Sequence, residues 1–194
     1  MRFISIDVET TGIDADKCQI LSIGAVIDDT IAPLTLKDVP QYYKRVSHDE
    51  YKGEIYALNL NKDLLTEILE NKDGLNIHVD NLKADFQSWV NKYFDGSEKI
   101  TIAGKNFANF DKKFLDKLGV LDGLNVSYQF LDVGSLYWEP KTDAKLPSLQ
   151  ECLDRAEIKT EVTHNALEDA MDVVKVIRHN IKVKDDSNGN FKKN

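Results

Sequence analysis

The chain has 194 residues, enough for one domain, and its 42% hydrophobic and 30% charged content is typical of soluble globular proteins. No apolar run approaches the roughly 18–20 residues that a membrane helix needs, and no basic segment leads into an apolar one. We therefore expect neither a spanning segment nor a secretory signal. The 33 acidic and 25 basic side chains give a formal charge of −8, which disfavours a protein that grips long nucleic-acid duplexes.

The two cysteines indicate the cellular compartment. Cys18 and Cys152 are far apart and belong to no CxxC or Cys/His cluster, so they indicate reduced thiols rather than a zinc site. We therefore expect a cytoplasmic protein without a membrane partner. Its acidic charge remains compatible with a short nucleic-acid end in a pocket, because metal ions in a carboxylate site supply positive charge locally.

Apolar periodicity divides the chain into initial strands followed by alternating helices and strands. A turn-like connection around Gly12 joins the first two strands, which predicts a hairpin. This order predicts an α/β protein with a mixed sheet. The predicted strands are residues 2–8, 19–27, 41–47, 99–103 and 126–133, and the predicted helices are residues 62–71, 79–94, 110–118, 148–156 and 165–181.

These elements predict one domain over residues 1–183. Residues 28–40 and the remainder of 49–76 have no clear period and are interpreted as loops. The last residues, 184–194, have the polar sequence KDDSNGNFKKN, which predicts a flexible tail.

Two carboxylates near the end of the first strand share one face. Side chains alternate along a strand, so Asp7 and Glu9 point one way while Ile6 and Val8 point the other. The two acids lie roughly 6.6–6.8 Å apart along the strand, at about 3.3–3.4 Å per residue. Like charges so placed repel unless a cation lies beside them. A solvent-facing strand end would also carry such a pair.

Two helices carry acids on or beside their apolar faces. Asp111 falls inside the apolar arc of its helix, and Asp169 lies beside the apolar stripe of the last helix. Glu168 and Asp172 fall on the polar back of that helix. A buried carboxylate without a partner is unfavourable, so Asp111 and Asp169 favour contact with a metal ion or a hydrogen-bond donor. Asp111 is equally consistent with a helix-start acid that interacts with the macrodipole.

His164 precedes the last predicted helix. Asn165 followed by Glu168 resembles a capping box, which places Asn165 at the N-cap and His164 just outside the helix. A histidine on this loop can swing over a site that Asp169 approaches from the helix. A surface histidine at a helix entry would give the same pattern.

These acids and the histidine lie in three segments: DVETTG at residues 7–12, AGKNFANFD at 103–111 and HNALEDA at 164–170. In this order and spacing they resemble the three motifs of DEDDh 3′→5′ exonucleases, a group of the DnaQ-like superfamily that includes proofreading subunits, RNase T and oligoribonuclease. The resemblance extends over about residues 3–181. It implies a ribonuclease-H-like fold, a central mixed β-sheet flanked by helices. It also implies release of nucleoside 5′-monophosphates from the 3′ end of DNA or short RNA.

The resemblance further implies two Mg²⁺ or Mn²⁺ ions per active site. Asp7, Glu9 and Asp169 would hold one ion, Asp7 and Asp111 the second, and His164 would deprotonate the attacking water. Hard divalent ions prefer carboxylate oxygens, and two ions clamp the attacking and leaving oxygens of a phosphoryl displacement. A histidine ordinarily titrates near neutral pH, which suits proton removal.

The resemblance also implies a seat for the terminal nucleotide of a single-stranded or frayed 3′ end. Ile13 is equally consistent with core packing. Phe107 or Phe110 could stack on a base, although periodicity favours the core for Phe110. The implied contact residues are Thr10, Thr11, Ile13, Asn106 and Phe107.

Departures from the motifs leave the substrate sugar open. Asn106-Phe107 stands where the proofreading type has His-Asn, and Gly104 with Asn106 before Asp111 favours the oligoribonuclease-like branch. The DVETTG form favours the DNA-directed branch. An enzyme restricted to short RNA, a ribonuclease-H-type endonuclease and a catalytically silent nucleic-acid-binding module are the alternatives. A homodimer and a replication partner are both compatible with the sequence.

Overall fold

The computed structural model describes the backbone of residues 1–191 and the side chains of residues 1–185. None of the helices in this described part is long and apolar enough to cross a membrane. The strands are β1 (Arg2–Thr10), β2 (Ile20–Asp29), β3 (Gln41–Ser47), β4 (Asn76–His78), β5 (Ile100–Gly104) and β6 (Val126–Asp132). The helices are α1 (Ile55–Leu60), α2 (Lys62–Glu70), α3 (Val79–Val90), α4 (Asp111–Lys117), α5 (Val133–Leu136), α6 (Leu149–Arg155) and α7 (Ala166–Phe191).

The strands form one mixed sheet in the order β4-β3-β2-β1-β5-β6. The β1 and β2 strands pair antiparallel, which confirms the predicted hairpin, and β5 pairs parallel with β1 on its other side. The predicted α/β class with a mixed central sheet is therefore confirmed. Because β1 lies inside the sheet, its carboxyl end is a rigid platform for side chains from neighbouring elements.

Three short elements were not predicted. Helix α1 buries none of its residues, so it carries no apolar period that could reveal it. Strand β4 has three residues and helix α5 has four, too few for a recognisable pattern. Helix α7 continues to Phe191, so part of the predicted tail is helical, and residues 192–194 lie outside the described part.

The two faces of the sheet have separate cores. One core packs Ile6 and Val8 of β1 against α3 and α4. The other packs Phe3 of β1 against α5, α6 and α7. Side chains alternate along β1, so Asp7 and Glu9 lie on the face that α7 covers.

Helix α7 is held against β2 at two points. At its start, a Cβ added to Gly24 would lie 2.2 Å from the carbonyl carbon of Ala166, so the helix backbone rests directly on the strand. Gly24 lies opposite Asp7 in the β1–β2 register. Farther along, Arg178 makes two hydrogen bonds, of 2.8 and 2.5 Å, to the buried Asp28 carboxylate. These contacts bring the first turn of α7 next to the acids of β1.

Asp172 does not lie where helix periodicity placed it. The periodicity placed it on the solvent-exposed face of the helix, but it is only 3% exposed. Lys175 donates to its carboxylate at 2.6 Å. Since α7 contacts β1, β2 and β3 together, it buries a wider arc than a helix packed on one partner.

We predict that Gly24→Ala destabilises the protein by roughly 1–3 kcal/mol or more, as overpacking does, because the new methyl group has no space under Ala166. Urea unfolding monitored by circular dichroism measures the change. Gly96→Ala is the matched control, since a Cβ at Gly96 meets nothing within 4 Å. Equal stability of the two variants would contradict this account.

Candidate active site

A cleft of about 290 Å³ lies at the carboxyl end of β1. Its polar wall contains the side chains of Asp7, Glu9, Asp169 and His164. Its apolar rim is formed by residues of the β1–β2 turn, α1 and the segment before α4. The rim residues are Ile13, Tyr56, Ala57, Leu60 and Phe110.

Asp111 is buried beside this cleft as the first residue of α4, at 3% exposure. Its Oδ1 accepts a hydrogen bond of 3.0 Å from the backbone N–H of Val8. The β5 strand pairs with β1 only over residues 3–5, so Asp111 satisfies a donor of β1 beyond that pairing. Burial raises the pKa of Asp111, and backbone hydrogen bonds partly oppose that rise. Both interpretations of Asp111 therefore apply, since it starts a helix and is also buried.

The two acids of β1 lie in a field of like charge. Burial, followed by the charges of Asp111, Glu9 and Asp169, raises the pKa of Asp7 well above its ordinary value. Burial and then the charges of Asp169 and Asp111 raise the pKa of Glu9 to about 8. The carboxylates thus oppose one another's ionisation, which is the situation that a bound cation relieves.

Asp169 reaches the cleft from the first turn of α7 and is 5% exposed. Burial raises its pKa to about 6, although the nearby His164 and a backbone hydrogen bond from Thr163 act in the opposite direction. Its Oδ1 is buried and accepts no hydrogen bond from the described residues. An orphaned buried carboxylate oxygen of this kind is unfavourable unless it gains a ligand.

His164 lies on the loop just before α7, exposed and with φ of 56°. Asn165 caps the helix by accepting from the N–H groups of Leu167 and Glu168 at 3.1 and 3.3 Å, as predicted. The Glu168 carboxylate accepts from the hydroxyl of Thr163 at 2.7 Å, so it ties down the loop that carries His164.

These donors fit a divalent cation. One ligand atom each from Glu9, His164 and Asp169 lies within 4.8 Å of the others. The charges of Asp111, Glu9 and Asp169 all raise the pKa of Asp7, so Asp7 and Asp111 belong to the same cluster of carboxylates. Carboxylate oxygens suit hard divalent ions, and the unpartnered Oδ1 of Asp169 is available as a ligand.

The predicted substrate contacts in the β1–β2 turn differ in position. Ile13 is 76% exposed on the cleft rim, so the core alternative is wrong for it. Thr10 lines the cleft, and its hydroxyl donates to the carbonyl of Gly12 at 2.7 Å. Thr11 is fully buried. Its hydroxyl donates to the backbone carbonyl of Lys52 and accepts from the N–H of Gln19. The structure therefore contradicts a contact between the Thr11 side chain and substrate, because that side chain braces the turn.

The two phenylalanines of the second motif differ in burial, and Phe110 both packs against the core and lines the cleft. Phe107 is 2% exposed and packs on Phe130 with ring centroids 5.3 Å apart, so the structure contradicts its contact with a base. Phe110 is half-buried and lines the cleft. Asn106 lies outside the cleft lining, and its N–H donates to Asp132 at 2.7 Å. Its left-handed backbone, with φ of 59°, turns the chain before α4 begins.

Sequence reasoning missed the cleft wall formed by α1. Tyr56 is 78% exposed and Leu60 is 47% exposed, and both line the cleft. At the end of this helix, Asn61 donates to the carbonyl of Thr10 at 3.2 Å. The available signal was a cluster of large apolar residues, Ile55 to Leu60, in a segment without a buried period. Large apolar residues that are not packed in a core indicate a contact surface.

Sequence comparison relates the chain to known exonucleases. The family model described as Rv2179c-like 3′-5′ exoribonuclease domain matches residues 2–181. The 3′-5′ DNA exonuclease Cap18 of Escherichia coli is 29% identical over 178 residues, which cover 87% of this chain and 85% of Cap18.

Solved structures share the fold at low sequence identity. The zinc-bound form of the E. coli exonuclease I complex with single-stranded DNA has a TM-score of 0.66 at 15% identity. That match covers 94% of this chain but 40% of exonuclease I. Cell-death related nuclease 4 has a TM-score of 0.65 at 12% identity, over 94% of this chain and 64% of the nuclease. The chain thus spans less than two thirds of each of these two proteins.

The ribonuclease-H-like fold, the acidic cleft and these matches together define a 3′→5′ exonuclease of the DnaQ-like superfamily, which confirms the class that the three motifs predicted. More particularly, the chain belongs to the Rv2179c-like 3′-5′ exoribonuclease domain family, whose model covers it almost from end to end.

The raised carboxylate pKa values predict how stability varies with pH when divalent ions are chelated. A carboxyl group with a raised pKa stabilises the fold below its unfolded-state pKa, and this stability is lost as pH rises through the folded-state pKa. The loss should therefore extend from about pH 4 to about 6 for Asp169 and to about 8 for Glu9. In EDTA, thermal unfolding should occur on the order of a few degrees lower at pH 8 than at pH 5.5.

An isosteric variant tests whether the site causes this dependence. Asp169→Asn removes one repelling charge, so it should raise the melting temperature in EDTA at pH 8 and flatten the pH dependence. Asp116→Asn, at an exposed acid paired with Lys112, should leave the slope unchanged. A slope equally steep in wild type and Asp169→Asn would contradict the origin assigned here.

Proposed function

We propose that this protein removes nucleotides one at a time from the 3′ end of single-stranded or frayed nucleic acid, DNA or short RNA, with Mg²⁺ or Mn²⁺. The convergence of carboxylates from three separate elements carries this proposal. Asp7 and Glu9 come from β1, Asp111 from α4 and Asp169 from α7. Such convergence of mutually repelling acids is typical of a site built for divalent ions.

Two ions would share these ligands. Asp7, Glu9 and Asp169 would hold one, and Asp7 and Asp111 would hold the other. Bound there, the ions would supply positive charge to the attacking and leaving oxygens of the phosphodiester. Asp111 would bind its ion through Oδ2, because the hydrogen bond from Val8 uses Oδ1.

His164 would act as the general base for the attacking water. Its ring nitrogen lies near the ligand oxygens of Glu9 and Asp169, within 4.8 Å. Because His164 is exposed, the proton it accepts can pass directly to solvent. The N-cap at Asn165 and the Thr163–Glu168 hydrogen bond fix the two ends of its loop.

The apolar rim would seat the terminal nucleotide. Exposed Ile13, Tyr56 and Leu60 offer a surface to one nucleobase, and aromatic or aliphatic contact of this kind tolerates any base. The volume of about 290 Å³ lies just below the roughly 300–1,000 Å³ of small-ligand sites, so the cleft would take one nucleotide rather than several. Among residues 1–185, whose side chains the structure describes, no lysine or arginine lines the cleft, so phosphate recognition would depend on the metal ions.

We expect His164→Ala to lower kcat by about 10²–10⁴-fold, the usual contribution of a general base. Asp7→Asn should abolish metal-dependent cleavage, and Asp111→Asn should do the same while keeping an acceptor for Val8. Asp116→Asn, on the same helix as Asp111 but exposed, should cleave like wild type. Full activity in both Asp7→Asn and His164→Ala would refute the assignment.

A digestion panel tests the reaction type and the substrate. Labelled single-stranded DNA, mismatched duplex DNA, long RNA and RNA dinucleotides are incubated with Mg²⁺, and the products are separated by size. Immediate release of mononucleotide from the 3′ end supports the proposal, whereas internal fragments would support an endonuclease instead. Cleavage of dinucleotides alone would support the enzyme restricted to short RNA.

A further inference from the structure

The β1–β2 turn that carries Ile13 is fastened to the segment that leads into α1. Two hydrogen bonds join the near part of the turn to this segment, a third joins it to Asn61 just after α1, and one more reaches its tip. The near bonds are Thr11 Oγ1 to Lys52 O at 2.6 Å, Glu54 N to Thr11 O at 2.7 Å and Asn61 Nδ2 to Thr10 O at 3.2 Å. The tip bond is from Ile13 N to Glu54 Oε1 at 3.3 Å. Glu54 is therefore the side chain that ties Ile13 itself to the neighbourhood of α1.

Gly12 makes this contact sterically allowed. A Cβ added there would lie 2.8 Å from both Cγ and Cδ of Glu54 and 2.6 Å from Sγ of Cys18. The Glu54 chain thus crosses the turn in direct contact with its backbone. Its Oε1 also lies 4.0 Å from the Cys18 thiol, so neighbours on two sides restrict the carboxylate.

The two segments joined by Glu54 carry the exposed apolar groups of the cleft. Ile13 is 76% exposed on the turn, and Tyr56, two residues after Glu54, is 78% exposed on α1. Neither group packs in the core, and α1 itself buries none of its residues. Core packing therefore does not set the distance between Ile13 and α1. Hydrogen bonds set it, and the one at the tip of the turn, where Ile13 lies, is accepted by Glu54.

We infer that Glu54 is a positioning residue for base recognition: by holding Ile13 against the start of α1, it fixes the gap that receives the terminal nucleobase. This inference rests on the proposed exonuclease function. Glu54 acts through Ile13 and not by contact with the reacting phosphate. Its loss should weaken substrate binding while leaving the catalytic step intact.

Oligonucleotides whose 3′-terminal nucleotide either carries a base or is abasic test this role. Wild type with Mg²⁺ should favour the base-bearing end. Glu54→Ala should raise KM for that end roughly tenfold, the size of one lost stacking contact, with kcat little changed. The preference over the abasic end should shrink by the same factor. Glu54→Gln should restore wild-type values, because its amide oxygen still accepts from Ile13.

A double-mutant cycle with Ile13→Ala separates indirect from direct action. If Glu54 works through Ile13, the double variant should be no worse than Ile13→Ala alone. Additive losses, or an unchanged base preference in Glu54→Ala, would overturn the inference. Melting temperatures check folding, and if Glu54→Ala does not fold, Gly12→Ala replaces it, since it should displace Glu54 and cause the same loss. A wild-type protein that cleaves neither end overturns the proposed function itself, a result distinct from the others.

Discussion

Mutual repulsion among buried carboxylates is the constraint on which the rest of the structure depends. Asp7, Glu9, Asp111 and Asp169 oppose one another's ionisation, so without strong supports the elements that carry them would move apart. Contacts with the backbone of the sheet hold the helices that carry Asp111 and Asp169. Asp111 is tied to the backbone of β1 by the bond from Val8, and the helix of Asp169 is held on β2.

The acids and the apolar rim of the cleft are held in place in different ways. The acids lie on an interior strand and on helix starts, with backbone contacts to the sheet on both sides. The apolar rim instead comes from a turn and from α1, which has no buried residues and is fastened by hydrogen bonds. Packing against the sheet therefore holds the acids, whereas hydrogen bonds hold the rim.

Sequence reasoning located the acids because their positions follow from periods. Strand alternation put Asp7 and Glu9 on one face, and helix periodicity put Asp169 beside the core stripe. It favoured the core for Phe110 because it placed that residue inside the helix. The helix α4 begins only at Asp111, so Phe110 is the N-cap and lines the cleft as well as packing on Phe114. Helix α1 escaped notice because a pattern of burial cannot reveal a helix that buries nothing.

The elevated pKa values have a further consequence for how the proposed site would acquire metal ions. With the pKa of Glu9 near 8, and that of Asp7 raised as well, part of the site carries protons at neutral pH. Metal ligands must be deprotonated, so each ion that enters must displace protons into solvent. Metal loading at the proposed site would therefore exchange protons for ions, and acidification would oppose it.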